Sequence, residues 1–174
     1  MLKKDTKVNY IIKMSDKLQD IIKKQSIKEE VKIEKEEQFI CFKLLEEEFG
    51  INILNIQEIL KPFNHTRVPD VPSFIKGVIN MRGIVIPLID LRLKFNLQEK
   101  KYDNNSRFII LNINDKIAGF IVDELTSSLK IKRKDIEKSP DTLDSENTIV
   151  EGIGKEKHRI ITLLKSELLL KKDF

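Results

Sequence analysis

Residues 74–97 read FIKGVINMRGIVIPLIDLRLKFNL, and the fold turns on how this stretch is parsed. Two glycines, one proline and a lone arginine separate two apolar runs, a pattern that fits neither an amphipathic helix nor a plain hairpin. Gly77 and Gly83 bracket a turn region that calls for positive φ or close backbone approach, with Asn80 and Arg82 at the bend. Ile84, Val85, Ile86, Leu88 and Ile89 then form a near-continuous β-branched run, the mark of a strand buried on both faces or set in a barrel wall. Pro87 removes one ladder donor and points to an edge or a bulge. Asp90 is placed to cap a short helix through Leu91, Arg92, Leu93 and Phe95, and Asn96 to close it in a left-handed conformation.

Around this stretch the composition bounds the possibilities. The chain has 174 residues, 40% hydrophobic and 34% charged, which describes a globular protein of one domain or two packed lobes. The pI of 9.0 invites a nucleic-acid reading, but 32 basic and 28 acidic side chains interleave and leave a net charge of only +4. Cys41 is the one cysteine, so no internal disulfide forms, and its apolar setting predicts a buried, inert thiol in a reducing compartment. No apolar run reaches membrane-spanning length and no secretion signal is evident, so a cytoplasmic location is expected.

The first 37 residues are rich in Lys and Glu and lack Gly and Pro. Val8, Ile11, Ile12, Leu18, Ile21 and Ile22 recur at helical spacing, predicting one amphipathic helix that docks on its own domain or on a partner, followed by a charged linker. The compact domain is expected over 38–170, with a short tail at 171–174. A hairpin pairs Phe39–Leu45 with Phe49–Ile53 across a turn at Glu46, Glu47 and Glu48. Leu54–Leu60 reads as a short helix, with Asn55 and Glu58 at capping-box spacing. Phe108–Ile113 and Ile117–Val122 are strands joined by Asn114-Asp115, and Gly119 marks a bulge or close packing. Weaker strands follow at Leu129–Ile131 and Ile149–Ile153, a better one at Arg159–Leu164, then a helix from Ser166 to Lys171. Short strands separated by turns predict small β-barrels, and the polar YDNNS segment at 102–106 suggests a connector near 103–107 between two lobes.

Catalytic kits are missing: there is no phosphate loop, nucleophile elbow, HExxH motif or cysteine pair. His65 and His158 lie among polar residues without metal-ligand spacing, and the Glu46–Glu48 run reads as solvated. The chain has no Trp, and its Phe residues sit mostly in apolar strands, so a small β-barrel that binds nucleic acid is an alternative resting on pI alone.

The segment Phe74-Ile75-Lys76-Gly77-Val78-Ile79-Asn80-Met81-Arg82-Gly83, with Pro87 and Asp90-Leu91-Arg92, closely resembles the core motif of CheW-type chemotaxis coupling proteins. Phe49-Gly50-Ile51, Ile56-Gln57-Glu58-Ile59, Val122-Asp123, Gly152-Ile153-Gly154 and Arg159-Ile160-Ile161 extend the likeness over about 38–170. Met81 stands where leucine is usual and Asn96 where glycine is common. The resemblance implies a mainly β fold of two SH3-like five-stranded barrels with short connecting helices, no catalysis and no cofactor. It implies a scaffold that binds the cytoplasmic tip of chemoreceptors and the regulatory domain of the histidine kinase CheA, with no small-molecule substrate and no membrane insertion of its own. On it, Ile56, Glu58, Gly77, Arg82, Phe108 and Gly119 match positions of receptor binding and coupling, and Ile51 and Ile53 match the surface that meets the kinase. Each has a structural reading beside the functional one. The glycines can serve backbone geometry alone, the Ile and Phe positions can be core, and Glu58 can cap its helix. Arg82, between turn-forming Asn80 and Gly83, projects outward to a partner or to a salt bridge.

Overall fold

A computed structural model describes residues 36–138 and 148–171. Among these, ten strands form two five-stranded sheets. The strands are β1 (Glu36–Leu44), β2 (Glu47–Asn52), β3 (Ile56–Leu60), β4 (Ile75–Met81), β5 (Ile84–Asp90), β6 (Arg107–Ile113), β7 (Lys116–Val122), β8 (Glu124–Lys132), β9 (Val150–Glu156) and β10 (Arg159–Leu164). A one-turn helix follows β5, α1 (Leu91–Lys94), and another follows β10, α2 (Ser166–Leu169). The helix expected near the N-terminus lies outside the described residues; Glu36 and Glu37, expected in the charged linker, belong to β1.

The central sheet has the order β3-β6-β7-β5-β4 and the terminal sheet β8-β1-β2-β10-β9. The expected division at 103–107 therefore does not separate the sheets: that segment leads into β6, within the central sheet. The hairpin β1–β2 belongs instead with the last three strands. The chain is a repeated unit whose halves exchange strands. A hairpin (β1–β2, then β6–β7) crosses over, three strands follow, and a one-turn helix ends the unit. In each sheet the second hairpin strand pairs in parallel with the strand before a helix, placing Gly50 opposite Leu163 and Gly119 opposite Leu88. A short bridge in each sheet ties the outer strand to the segment beyond the opposite edge strand, Thr66 to Val78 and Glu137 to Ile153.

Strand alternation sorts the core. Phe108 and Ile110 of β6 point into a cluster within the central sheet with Ile79, Ile86 and Leu88, while Ile109 and Leu111 point the other way. These join Phe42, Phe49 and Ile51 of the terminal sheet in a cluster shared by both sheets. A third cluster, with Phe39, Cys41, Ile161 and Leu163, fills the terminal sheet. Strands buried on both faces are why these runs read as almost continuously apolar.

Several local expectations change. Leu54–Leu60 is not a helix: a single 3-10 turn over Ile53–Asn55, capped by Asn52, leads into β3. Pairing with β6 suits the β-branched Ile56 and Ile59, and tertiary contacts override the weak capping signal, so Glu58 caps nothing. The β1–β2 turn is Leu45-Glu46, with Leu45 at φ 56, and Glu47 and Glu48 are strand residues. Gly77 lies within β4 beside a bulge rather than in the turn. Pro87 sits in an interior strand. Its partner Val78 spends both backbone groups on Thr66, so the Val78–Pro87 pair exchanges no hydrogen bonds, and the β7 ladder begins one residue later at Leu88. Asp90 caps α1 as expected, accepting from the Arg92 and Leu93 amides, and Asn96 is left-handed at φ 58.

Candidate docking surfaces

The β4–β5 turn presents Arg82. Arg82 (φ 53) and Gly83 (φ 85) are both left-handed, and Asn80 Oδ1 accepts from the Gly83 amide at 2.9 Å. The backbone therefore holds Arg82 outward, with its side chain 84% exposed. Its Nη2 lies 3.9 Å from Glu58 Oε2, at the limit of an ion pair in solvent, where such contacts contribute little to stability. Beyond the turn, Ile84 and Val85 stand exposed. Gly77 supports this hairpin from behind: at φ +148, a Cβ would meet the Thr66 carbonyl oxygen at 2.2 Å. Only glycine lets the bridging segment approach so closely.

The equivalent turn of the terminal sheet is built differently. Lys157 repeats the Arg82 backbone (φ 55), and Ile160 repeats Val85, at 63% and 65% exposure. Between them stands Arg159, in the place of Ile84. Its guanidinium pairs with Glu48 through Nε (3.1 Å) and Nη2, with Glu156 Oε2 (2.8 Å) and with Ser127 Oγ (2.8 Å), and the Thr126 hydroxyl donates to Glu48. Glu48 is thus no solvated member of a charge run. Burial acts to raise its pKa, and hydrogen bonds from Arg159 and Thr126 outweigh that and hold it below the usual glutamate range. Cys41 beneath is fully buried, and burial pushes its thiol up.

The remaining expected site residues divide by burial. Ile51 and Phe108 are core side chains, with almost no exposed surface, and Gly119 is buried with a would-be Cβ 3.0 Å from Ile110 and 3.1 Å from Leu88. None of the three presents a side chain to a partner; strand alternation turns them inward. Ile56 is half-buried against the shared core, and Ile53 is half-buried in the 3-10 turn. Beside Ile53 stands Leu54, 87% exposed, which the helix expected there concealed. The structure brings Glu58 and Arg82 together and leaves Ile51 and Phe108 apart in different apolar clusters.

A groove of about 750 Å3 opens on the domain. Phe74, Ile89, Ala118 and Leu170 wall it, and Lys94, Lys116 and Lys171 stand around it. Lys94 lies over the Phe74 ring at 5.0 Å, and burial pulls its pKa down. Its residues come from four segments of the chain, so no local signal could place it. Among the described residues Phe63 is the one exposed aromatic, which leaves no stacking platform for nucleic-acid bases. No group of His, Cys, Asp and Glu among them could hold a metal ion, and no helix is long and apolar enough to cross a membrane.

Two strand-exchanged sheets with an outward arginine beside exposed apolar side chains define a β-rich class of protein. Comparison with known proteins makes the class specific. The family described as CheW-like domain matches residues 38–174. The chemotaxis protein CheW of Helicobacter pylori is 46% identical over 167 residues, 92% of this chain and 100% of that protein. That of Bacillus subtilis is 33% identical over 138 residues, 79% of this chain and 88% of its own. The crystal structure of scaffolding protein TtCheW from Thermoanaerobacter tengcongensis superposes with a TM-score of 0.69 at 34% identity, covering 75% of this chain and 90% of that one. The chain belongs to the CheW-like domain family, whose members are non-catalytic chemotaxis scaffolds.

Proposed function

We propose that the chain couples chemoreceptors to the histidine kinase CheA by holding both at fixed positions, in the cytoplasm beside receptor arrays. Each sheet, tied by its bridge, serves as an SH3-like barrel lobe. The observation that carries the reading is the contrast between the two turns: Arg82 is held outward with only a 3.9 Å contact to Glu58, beside exposed Ile84 and Val85. A charged side chain on a preset backbone next to apolar surface is suited to partner recognition. In this reading Glu58 and Arg82 make the coupling contact, Ile56 and Gly77 set its shape, and Phe108 and Gly119 support it from the core. The apolar groove suits one face of a helix from the receptor tip. Ile53, with exposed Leu54 beside it, forms the kinase-facing surface, and Ile51 backs it.

Reconstitution tests the reading. Adding the chain to a chemoreceptor signalling fragment and CheA raises or gates kinase autophosphorylation, measured by phosphate incorporation; absence of binding to either partner overturns it.

A further inference from the structure

The two sheets meet at a buried ionic cluster that the docking surfaces do not use. Arg92 of α1 is fully buried, as is Asp90, and Asp123 is 5% exposed. The guanidinium reaches Asp90 through Nε (3.3 Å) and Nη2 (3.2 Å), and its Nη1 lies 3.0 Å from Asp123 Oδ1. That last approach is an ion contact rather than an aligned hydrogen bond. The Tyr102 hydroxyl donates to Asp90 at 3.1 Å, and the Arg92 guanidinium lies 5.4 Å from the Tyr102 ring centre.

Asp123 occupies the point where the chain leaves the central sheet after β7 and enters the terminal sheet at β8. Its other oxygen, Oδ2, accepts from the Leu45 amide in the β1–β2 turn at 2.7 Å, and its own amide donates to the Lys43 carbonyl at 3.1 Å. A continuous polar link therefore runs from α1 of the central sheet through Asp123 to the first hairpin of the terminal sheet. The other crossover, Ile53–Asn55, is built without such a clamp: the residue equivalent to Asp123 there is the exposed Leu54.

Apolar contact across the shared core is non-directional and tolerates sliding, whereas a forked guanidinium between two carboxylates is satisfied in one geometry. Buried ion pairs add little net stability over apolar residues of similar size, because desolvation offsets the attraction. A cluster this fully buried is better explained by geometry than by stability. We propose that Arg92 and Asp123 are positioning residues that fix the angle between the two sheets, and with it the spacing of the partner sites they carry. The functional consequence rests on the scaffold reading above; the geometry does not.

The test uses the full chain with spin labels on Asn112→Cys in the central sheet and Lys130→Cys in the terminal sheet, both exposed; Cys41 is buried and remains unlabelled. Pulsed electron resonance on the free protein then reads the distance between sheets. The unsubstituted cluster gives one narrow distance. In Asp90→Asn/Arg92→Met/Asp123→Asn the Met fills the arginine volume and no buried charge is left unpaired. The Asn at position 90 still accepts from the backbone amides of residues 92 and 93, and the Asn at position 123 from the Leu45 amide. This variant keeps a melting temperature within a few degrees, while the distance broadens or splits. Binding to CheA and to the receptor fragment separately persists, and kinase activation in the ternary assembly is lost. A folded triple variant with the original narrow distance overturns the proposal, whatever the coupling assay gives. Hydrogen exchange on the unsubstituted chain covers the case of a variant that fails to fold. The Leu45 amide then exchanges as slowly as the core of β1, and exchange at the rate of a solvated turn overturns the link.

Discussion

The β4–β5 and β9–β10 turns occupy equivalent places in the two sheets and both begin on a left-handed residue, Arg82 and Lys157, yet they spend their charges differently. In the terminal sheet Arg159 is consumed by Glu48, Glu156 and Ser127, closing that end with internal contacts. In the central sheet an isoleucine stands where Arg159 would be, and the one nearby arginine is directed to solvent. Repetition of a fold thus gives one turn whose arginine is spent on its own closure and one whose arginine stays exposed to solvent.

The largest test of this contrast concerns the glycines behind the turns. Gly77→Ala places a methyl 2.2 Å from the Thr66 carbonyl oxygen at a left-handed φ, and costs on the order of 3 kcal/mol in chemical denaturation. The equivalent Gly152→Ala meets Glu137 O at 2.6 Å without a left-handed φ and costs less. The reverse order would break the equivalence of the two bridges.

Next in size is Arg159→Ala, which removes a partly exposed network and lowers stability by about 1–2 kcal/mol. Arg82→Ala stays within about 0.5 kcal/mol. Equal losses would make both turns structural. A smaller effect follows from protonation. The Glu48 pKa is depressed on folding, so its contribution is complete above the ordinary glutamate value, about 4.3, and is lost as the pH falls below that through the folded value. Melting temperatures measured across the acid range show this decline in the unsubstituted chain and a weaker one in Arg159→Ala.

Much of this was legible beforehand. Periodicity placed β5, β6, β7 and β10, and Asp90 and Asn96 marked the ends of the α1 segment because capping and left-handed geometry are local. The spacing of Asn80, Arg82 and Gly83 foretold an outward arginine for the same reason. Features set by tertiary contact were not legible. Pairing with β6 made β3 a strand, and Pro87 sits inside a sheet because Thr66 takes Val78's hydrogen bonds. Glu48 read as solvent-facing because Arg159 lies 111 residues away. The repeat was hidden because its halves share topology and a few glycines while their turns carry different chemistry.

The central claim is that the central-sheet turn docks a partner and its terminal-sheet counterpart does not. It is tested most directly by reversing one exposed charge in each. Arg82→Glu and Lys157→Glu are compared with the unsubstituted chain for assembly with CheA and a receptor signalling fragment, with melting temperature as the control. Arg82→Glu lowers assembly and kinase activation tenfold or more, on the order expected for a charge at the heart of an interface, with the melting temperature within a few degrees. Lys157→Glu leaves both near the unsubstituted level. Equal loss from both, or none from Arg82→Glu, would contradict the account.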